Sequence, residues 1–524
     1  MQLVKIYAER VQIKSNNNEL GDISINNAML VSDDKNEIAL VCVVTAITRN
    51  EENEQFDFDG NLLDTEVTST IDCSVIGSLV NGRFAKSVDI YPTTNVKIKR
   101  IDNELFESMV AGSVCSSFKL GRYANYNCDA FIDGNKFFQR HSAIVGNTGS
   151  GKSFTVASIL EKLSDLRSAN IILFDLHGEY SDLSYVKKIK IGQDGLAFPM
   201  WFLSLKDIYG NLLKMKEESA QLQVASLRKA FYEARQSDKS EELPIFFDTE
   251  NVLSLLEEEN TKEVSTGEVY KTGDKAGLPK TTKGENNGKL TGVINLLKDK
   301  QLDKRYSFMT SRNPQSYLYY FVDQIFGIEE KSIKVVDLSD VPNDMIPTII
   351  AVTTKLIYKV QLQQERSKLL PLNIICDEAH VYIPSSDFGL GASQRRLLEV
   401  FETVAKEGRK FGVSLMVISQ RPSELNRTIL AQCANFITLK MSNETDKQMI
   451  KGILPDGSKG IIDSVNLFKP GDCLVIGDSS SITFKINIDL PSEEPNSNTI
   501  NTWEVWSESA SLNTAELTAR LLNS

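Results

Sequence analysis

One stretch limits what this chain can fold into more than any other: residues 141–153, HSAIVGNTGSGKS. Residues 142–145 form a short, mostly apolar run of strand character. A glycine-rich loop follows, and residues 151–163 read as a helix. Gly146, Gly151, Lys152 and Ser153 stand on the fixed positions of G-x-x-x-x-G-K-[ST]. Glycines let the backbone turn tightly, so that several N–H groups face one phosphate, and the helix N-terminus adds its positive dipole end. The candidate nucleotide-binding residues are therefore Gly146, Asn147, Thr148, Gly149, Ser150, Gly151, Lys152, Ser153 and Phe154. In such a loop the lysine reaches the β- and γ-phosphates of ATP, and the Ser153 hydroxyl ligates Mg²⁺. A strand, this loop and a helix in succession predict an α/β fold.

Later apolar runs end in polar residues suited to the same chemistry. Residues 170–176 (NIILFDL) lead into His177-Gly178-Glu179-Tyr180. Acids near the C-terminal end of a strand sit where α/β sheets bind ligands, so Asp175 and Glu179 are site candidates, with His177 beside them. Residues 373–377 (NIICD) lead into Glu378-Ala379-His380. Here Asp377 is placed to orient Mg²⁺, and Glu378 to polarise the attacking water as general base. Residues 413–419 (VSLMVIS) lead into Gln420-Arg421-Pro422, which puts a polar amide where a γ-phosphate sensor would stand. All three histidines (141, 177, 380) fall beside a motif, and none has the spacing of a metal ligand set.

The rest of the chain bounds the setting. At 524 residues it is long enough for several domains. No apolar run approaches the roughly 20 residues that span a bilayer. The seven cysteines are scattered without a C-x-x-C pair, the pattern of reduced thiols in a cytoplasmic protein. A net charge of −12 argues against a surface coated in basic residues for nucleic acid, but leaves room for a local basic channel. Residues 1–115, with β-branched runs at 38–48 and 71–79, partial alternation over 88–101 and an Asn81-Gly82 turn dipeptide, predict a small β-barrel or sandwich for assembly or docking. Residues 116–140 read as a connector, and 116–204 as the connector plus the first part of the core. Residues 205–330 read as a largely helical insertion, with an amphipathic helix over 211–236 and a flexible polar loop or two-stranded arm over 257–288. The core resumes over 331–490, and 491–524 is a tail with a short helix near 514–522.

Taken together, GNTGSGKS, DLHGEY, IICDEAH, KEGRKFGVSLMVISQRPSEL and NFITLK resemble the HerA branch of the HerA–FtsK ATPases, over roughly residues 140–490 outside the insertion. The resemblance implies a RecA-like core preceded by a small β-barrel, a homo-hexameric ring, and ATP hydrolysis coupled to translocation on double-stranded DNA. By motif it implies that Lys152 and Ser153 bind nucleotide and Mg²⁺, that Asp377 and Glu378 are the acidic pair, and that Gln420 is the sensor. It also implies a site shared between subunits, completed by an arginine from the neighbour; Arg409 is the first candidate and Arg421 the second. Members of the family act beside nucleases in DNA-end resection, or beside effector enzymes in anti-phage defence, so a partner enzyme docked on the barrel is expected. Arg395, Arg396 and Lys410, with Arg427 behind them, are the candidate DNA contacts. Two other readings stay open: a scaffold ring in which ATP controls an effector enzyme, and a conjugation-type coupling ATPase, which usually carries membrane helices.

Overall fold

The computed structural model describes the chain except residues 17–22, 34–37, 50–52, 57–61, 67, 81, 94, 112–115, 238, 273, 276, 311, 329–330, 387–388, 455, 498–501, 508–511 and 524. The chain opens with β1 (Gln2–Ile6), β2 (Arg10–Asn16), β3 (Ala28–Asp33), β4 (Ile38–Arg49), β5 (Asn53–Phe56), β6 (Leu62–Glu66), β7 (Thr68–Val80), β8 (Arg83–Ala85) and β9 (Lys97–Arg100). Seven of these form one antiparallel sheet in the order β1-β2-β7-β4-β3-β9, with β8 also paired to β7; β5 and β6 make a separate hairpin. Both faces of the sheet are apolar, because successive side chains alternate between them. Ala28, Leu30, Val41 and Val43 face the main core, while Met29, Val31, Leu40 and Cys42 build a second core with Val11 and Ile13. Bulges between Val41/Cys42 and Val44/Ala46 curl the long β4–β7 pair around that second core. The end strands β1 and β9 are not paired with one another among the described residues, so the described strands form a curled sheet that does not close, where a small β-barrel or sandwich was expected. Among the described residues of the alternating stretch 88–101, Lys97–Arg100 form the strand. Gly82 has the positive φ of a tight turn, +75°, and Asn81 lies outside the described residues.

The second and larger sheet has eleven strands: β10 (Ser117–Tyr123), β11 (Asp129–Asp133), β12 (His141–Val145), β13 (Ile171–Asp175), β14 (Lys187–Lys190), β17 (Ile333–Asp337), β18 (Leu372–Cys376), β19 (Val413–Ser419), β20 (Cys433–Thr438), β21 (Asp472–Gly477) and β22 (Lys485–Ile488). Their order is β11-β10-β22-β21-β20-β12-β19-β18-β13-β17-β14. From β20 to β14 every neighbouring pair is parallel. Such strands are covered on both faces, which is why β12, β13, β17, β18 and β19 are buried along their whole length. The stretch expected as a connector is instead two strands of this sheet, tied in through Gly121, Arg122 and Tyr123 against β22. Its local sequence is polar because β10 and β11 close one edge.

Residues 205–330 hold the helices Gln221–Arg235, Thr249–Thr261, Thr291–Leu302 and Tyr317–Phe326, and the hairpin β15 (Glu263–Val269) with β16 (Pro279–Lys283). Every residue of β15 is exposed. The helix expected from residue 211 starts at Gln221; a π-helical turn covers Ile208–Leu212 before it. Beyond the body, Thr502–Ser507 and Thr514–Asn523 are short helices. Among the described residues no helix is long and apolar enough to cross a membrane.

Candidate functional site

Because the strands run parallel, the segments that follow β12, β13, β18, β19 and β20 all emerge at one end of the sheet. The loop after β12 is drawn against its neighbours: Asn147 N donates to Lys440 O at 2.8 Å and Gly146 N to Ser419 O at 3.4 Å. A Cβ on Gly146 would stand 2.7 Å from Ser150 Oγ and 2.8 Å from Leu439 Cβ, so no side chain fits. Gly151 begins the helix Lys152–Ser164 at φ +97°, and no side chain caps it. Its first-turn N–H groups are thus left for an anion. Lys152 Nζ folds back to donate to Asn147 O at 3.0 Å. Burial lowers the Lys152 pKa, while the charges of Glu378, Asp377 and Glu179 push it back up. Ser153 and Phe154 stand half-buried in the same first turn.

The acids crowd around this lysine. Asp377 is buried just beyond β18, and its pKa lies well above the usual carboxylate range: burial is the main cause, and Glu378, Asp175 and Glu179 add to it. Glu378 adopts the left-handed conformation, φ 42° and ψ 44°, which an ordinary side chain rarely takes. Burial alone would raise its pKa, but His380, Lys152 and His177 together hold it below the ordinary value. Tyr180, completely covered and hydrogen-bonded to Ser153, has a phenol pushed far up, first by burial and then by Asp377, Glu179 and Asp175. Tyr180 carries no role that the motif alone assigns; an aromatic immediately after the site's acid is the signal for it.

Asp175 requires a correction. Its carboxylate is 0% exposed and points into its own loop. Oδ1 accepts the backbone N–H groups of His177, Gly178 and Glu179 at 3.3, 2.9 and 3.1 Å, and Oδ2 that of Tyr180 at 2.9 Å. Burial raises its pKa against those bonds. Asp175 therefore shapes the loop that presents Glu179 and Tyr180; it is not free to meet a ligand. His177 is exposed at the rim.

Gln420 reaches the phosphate loop, where its Oε1 accepts the Thr148 hydroxyl. Arg421 turns outward and pairs with Glu424 at 2.9 Å. Arg409 lies at the other end of the sheet, exposed in the turn Gly408–Phe411 before β19, close enough to His141 at the start of β12 to lower its pKa after burial has done so. Five-residue strands are about 17 Å long, so Arg409 and the phosphate loop of one chain are a full sheet apart. Arg140, which sequence reasoning passed over, shares that end and pairs with Asp478. Of the candidate DNA contacts, Lys410 and Arg427 are exposed, and Arg395 Nε donates to Leu390 O at 3.1 Å. Arg396 is not a free cation: it pairs with the buried Asp207 and anchors the helix Ala392–Glu407 to residues 205–207.

Among the described residues no three His, Cys, Asp or Glu side chains are gathered to enclose a metal unaided. Mg²⁺ asks for less. It takes one or two protein oxygens and keeps water and phosphate for the rest. Ser153 and Asp377 supply hard oxygen donors in a cluster short of positive charge, so the residues fit that ion.

Residues 118–357 match the family model described as helicase HerA, central domain. A probable helicase of Methanocaldococcus jannaschii is 25% identical over 432 residues, which cover 81% of this chain and 76% of the relative. The DNA double-strand break repair helicase HerA of Sulfolobus acidocaldarius is 28% identical over 436 residues, covering 80% of this chain and 78% of that one. Among solved structures, VirB4 of Thermoanaerobacter pseudethanolicus superposes with a TM-score of 0.49 at 15% identity, over 73% of this chain and 98% of that one. The family match begins at β10, within the stretch first read as a connector.

Proposed function

We propose that this chain, a HerA-type P-loop ATPase, works as a homo-hexameric ring that moves double-stranded DNA and serves a partner nuclease or effector enzyme held by the N-terminal sheet, in DNA-end processing or anti-phage defence. The observation that carries this reading is the meeting of Lys152, Asp377, Glu378 and Gln420 around one phosphate loop. In turnover Lys152 leaves Asn147 O and turns to the β- and γ-phosphates. Ser153 and Asp377 would hold Mg²⁺, which would draw negative charge from the phosphates. Glu378, ionised at neutral pH, takes a proton from the attacking water. The water oxygen bonds to the γ-phosphorus while the bond to the β–γ bridging oxygen breaks, leaving ADP and phosphate. Gln420 senses the γ-phosphate and reports through β19. Arg409 of a neighbouring subunit stabilises the transferred group.

The test is the steady-state ATPase rate with and without linear double-stranded DNA at two salt concentrations. A motor on DNA is stimulated, and the stimulation falls steeply with salt. A rate indifferent to DNA contradicts translocation. It favours the second reading, a ring that hydrolyses ATP to control an effector; the loss of Arg396 from the free cations and the net charge of −12 lean that way.

A further inference from the structure

One imidazole nitrogen beside the site has two claimants. His380 stands in the short turn Ala379–Val381, directly after the acidic pair. Its Nδ1 is 3.3 Å from Glu378 Oε2 and 3.4 Å from Ser419 Oγ. In a neutral ring Nδ1 carries either a hydrogen or a lone pair. With the hydrogen it can donate to Glu378; without it, it can accept the Ser419 O–H. It cannot serve both with one proton. Glu378 Oε2 is buried and makes no well-directed hydrogen bond, so the imidazole holds this carboxylate without satisfying it.

The other claimant belongs to the strand that touches the nucleotide loop. Ser419 is fully buried at the end of β19. Its Oγ already accepts the Arg421 N–H at 3.0 Å, which leaves its own hydrogen to give. Its carbonyl receives the Gly146 N–H, and the next residue, Gln420, accepts the Thr148 hydroxyl. A shift of the Gln420 segment therefore moves Ser419, and Ser419 competes with Glu378 for one atom.

We infer that His380 is a positioning residue that acts as a two-way catch between Glu378 and the sensor strand; this rests on reading Glu378 as the general base. With Nδ1–H donated to Glu378, the carboxylate is parked on the imidazole. When Gln420 engages the γ-phosphate, the Ser419 O–H is donated to Nδ1. The Nδ1 proton passes to water and Nε2 takes one up, so the ring stays neutral. Glu378 is then released towards the attacking water. Water activation is thus tied to occupancy of the sensor, and the base is idle until a γ-phosphate is in place.

A double-mutant cycle on turnover tests the catch. His380→Ala removes the catch and is expected to raise kcat roughly two-fold, whereas Ser419→Ala leaves the base parked and lowers kcat roughly five-fold, with KM within about two-fold of the parent in both. The double variant is expected to be no slower than His380→Ala alone, because both act through one contact. His380→Asn sets an amide nitrogen near the place of Nδ1; it donates to Glu378 but cannot accept the Ser419 O–H, so the base stays parked and kcat falls at least as far as in Ser419→Ala. A double variant as slow as Ser419→Ala overturns the catch, as does a His380→Ala protein as slow as His380→Asn. Turnover surviving Glu378→Gln is a different failure, because it removes the base assignment itself.

Discussion

At the N-terminal ends of the central strands, Lys334 Nζ donates to Asn170 Oδ1 at 2.7 Å, Asn373 Nδ2 to Ser414 Oγ at 2.8 Å, and Ser414 Oγ to Phe138 O at 2.6 Å. Asn435 Nδ2 continues the row to Lys136 O at 3.0 Å. Apart from Asn170 Nδ2 and Asn373 Oδ1, these side chains are matched donor to acceptor. At the C-terminal ends of the same sheet, Glu179, Asp377 and Glu378 crowd about Lys152, one of them in a left-handed backbone. One end settles its polar groups among neutral amides and hydroxyls. The other leaves like charges unsettled, a cost that persists where a ligand or the reaction compensates it. Strand length and burial are the same at both ends, so the site is told apart by its electrostatics rather than by its packing.

The sharpest way to break this contrast is Glu378→Gln. It should keep nucleotide binding and lower turnover by about a thousand-fold, the scale of losing a positioned general base. Binding by a fluorescent nucleotide and single-turnover hydrolysis separate the two effects; turnover near the parent rate would mean that the crowding serves something else. Next in size is Asp175→Ala. It leaves the N–H groups of His177, Gly178, Glu179 and Tyr180 without their acceptor, which should cost roughly 3 kcal/mol in urea unfolding and slow turnover as Tyr180 drifts from Ser153. A variant as stable as the parent would return Asp175 to the set of ligand contacts.

Lys334 sharpens the comparison from the quiet end. It is 0% exposed, and burial first, then the charge of Lys187, lowers its pKa from the ordinary 10.5 to about 7. Between pH 7 and 10.5 the unfolded chain holds the proton and the folded chain does not, so this group makes stability rise with pH across that window and adds no slope below it. Lys334→Met removes the slope, and the difference between variant and parent should change by roughly 4 kcal/mol over the window, while orphaning Asn170 Oδ1 lowers the variant's stability equally at every pH. Parallel stability profiles would show that Lys334 titrates normally.

Much of this was legible along the chain. The phosphate loop is contiguous, and the parallel strands read as uninterrupted apolar runs because both faces are covered, so Asp377, Glu378 and Gln420 could be found at their ends. What escaped was set by distant partners. β10 and β11 look like a connector because their place depends on pairing with β22, more than three hundred residues on. Arg396 reads as a surface cation until Asp207 is seen beneath it. Asp175 reads as a ligand acid because the four N–H groups it gathers belong to a loop whose path is not written in residue type. The contest for His380 Nδ1 depends on two strand ends meeting.

In the proposed ring, opposite ends of the sheet, in two subunits, are halves of one site. Mixing Lys152→Ala protein with Arg409→Ala protein tests this most directly. Each variant alone should hydrolyse ATP very slowly. In rings mixed at equal amounts, about one quarter of the interfaces would join an intact loop to an intact arginine by random head-to-tail assembly, and activity should recover towards that fraction. No recovery, in preparations where native mass spectrometry detects mixed rings, would contradict the shared site.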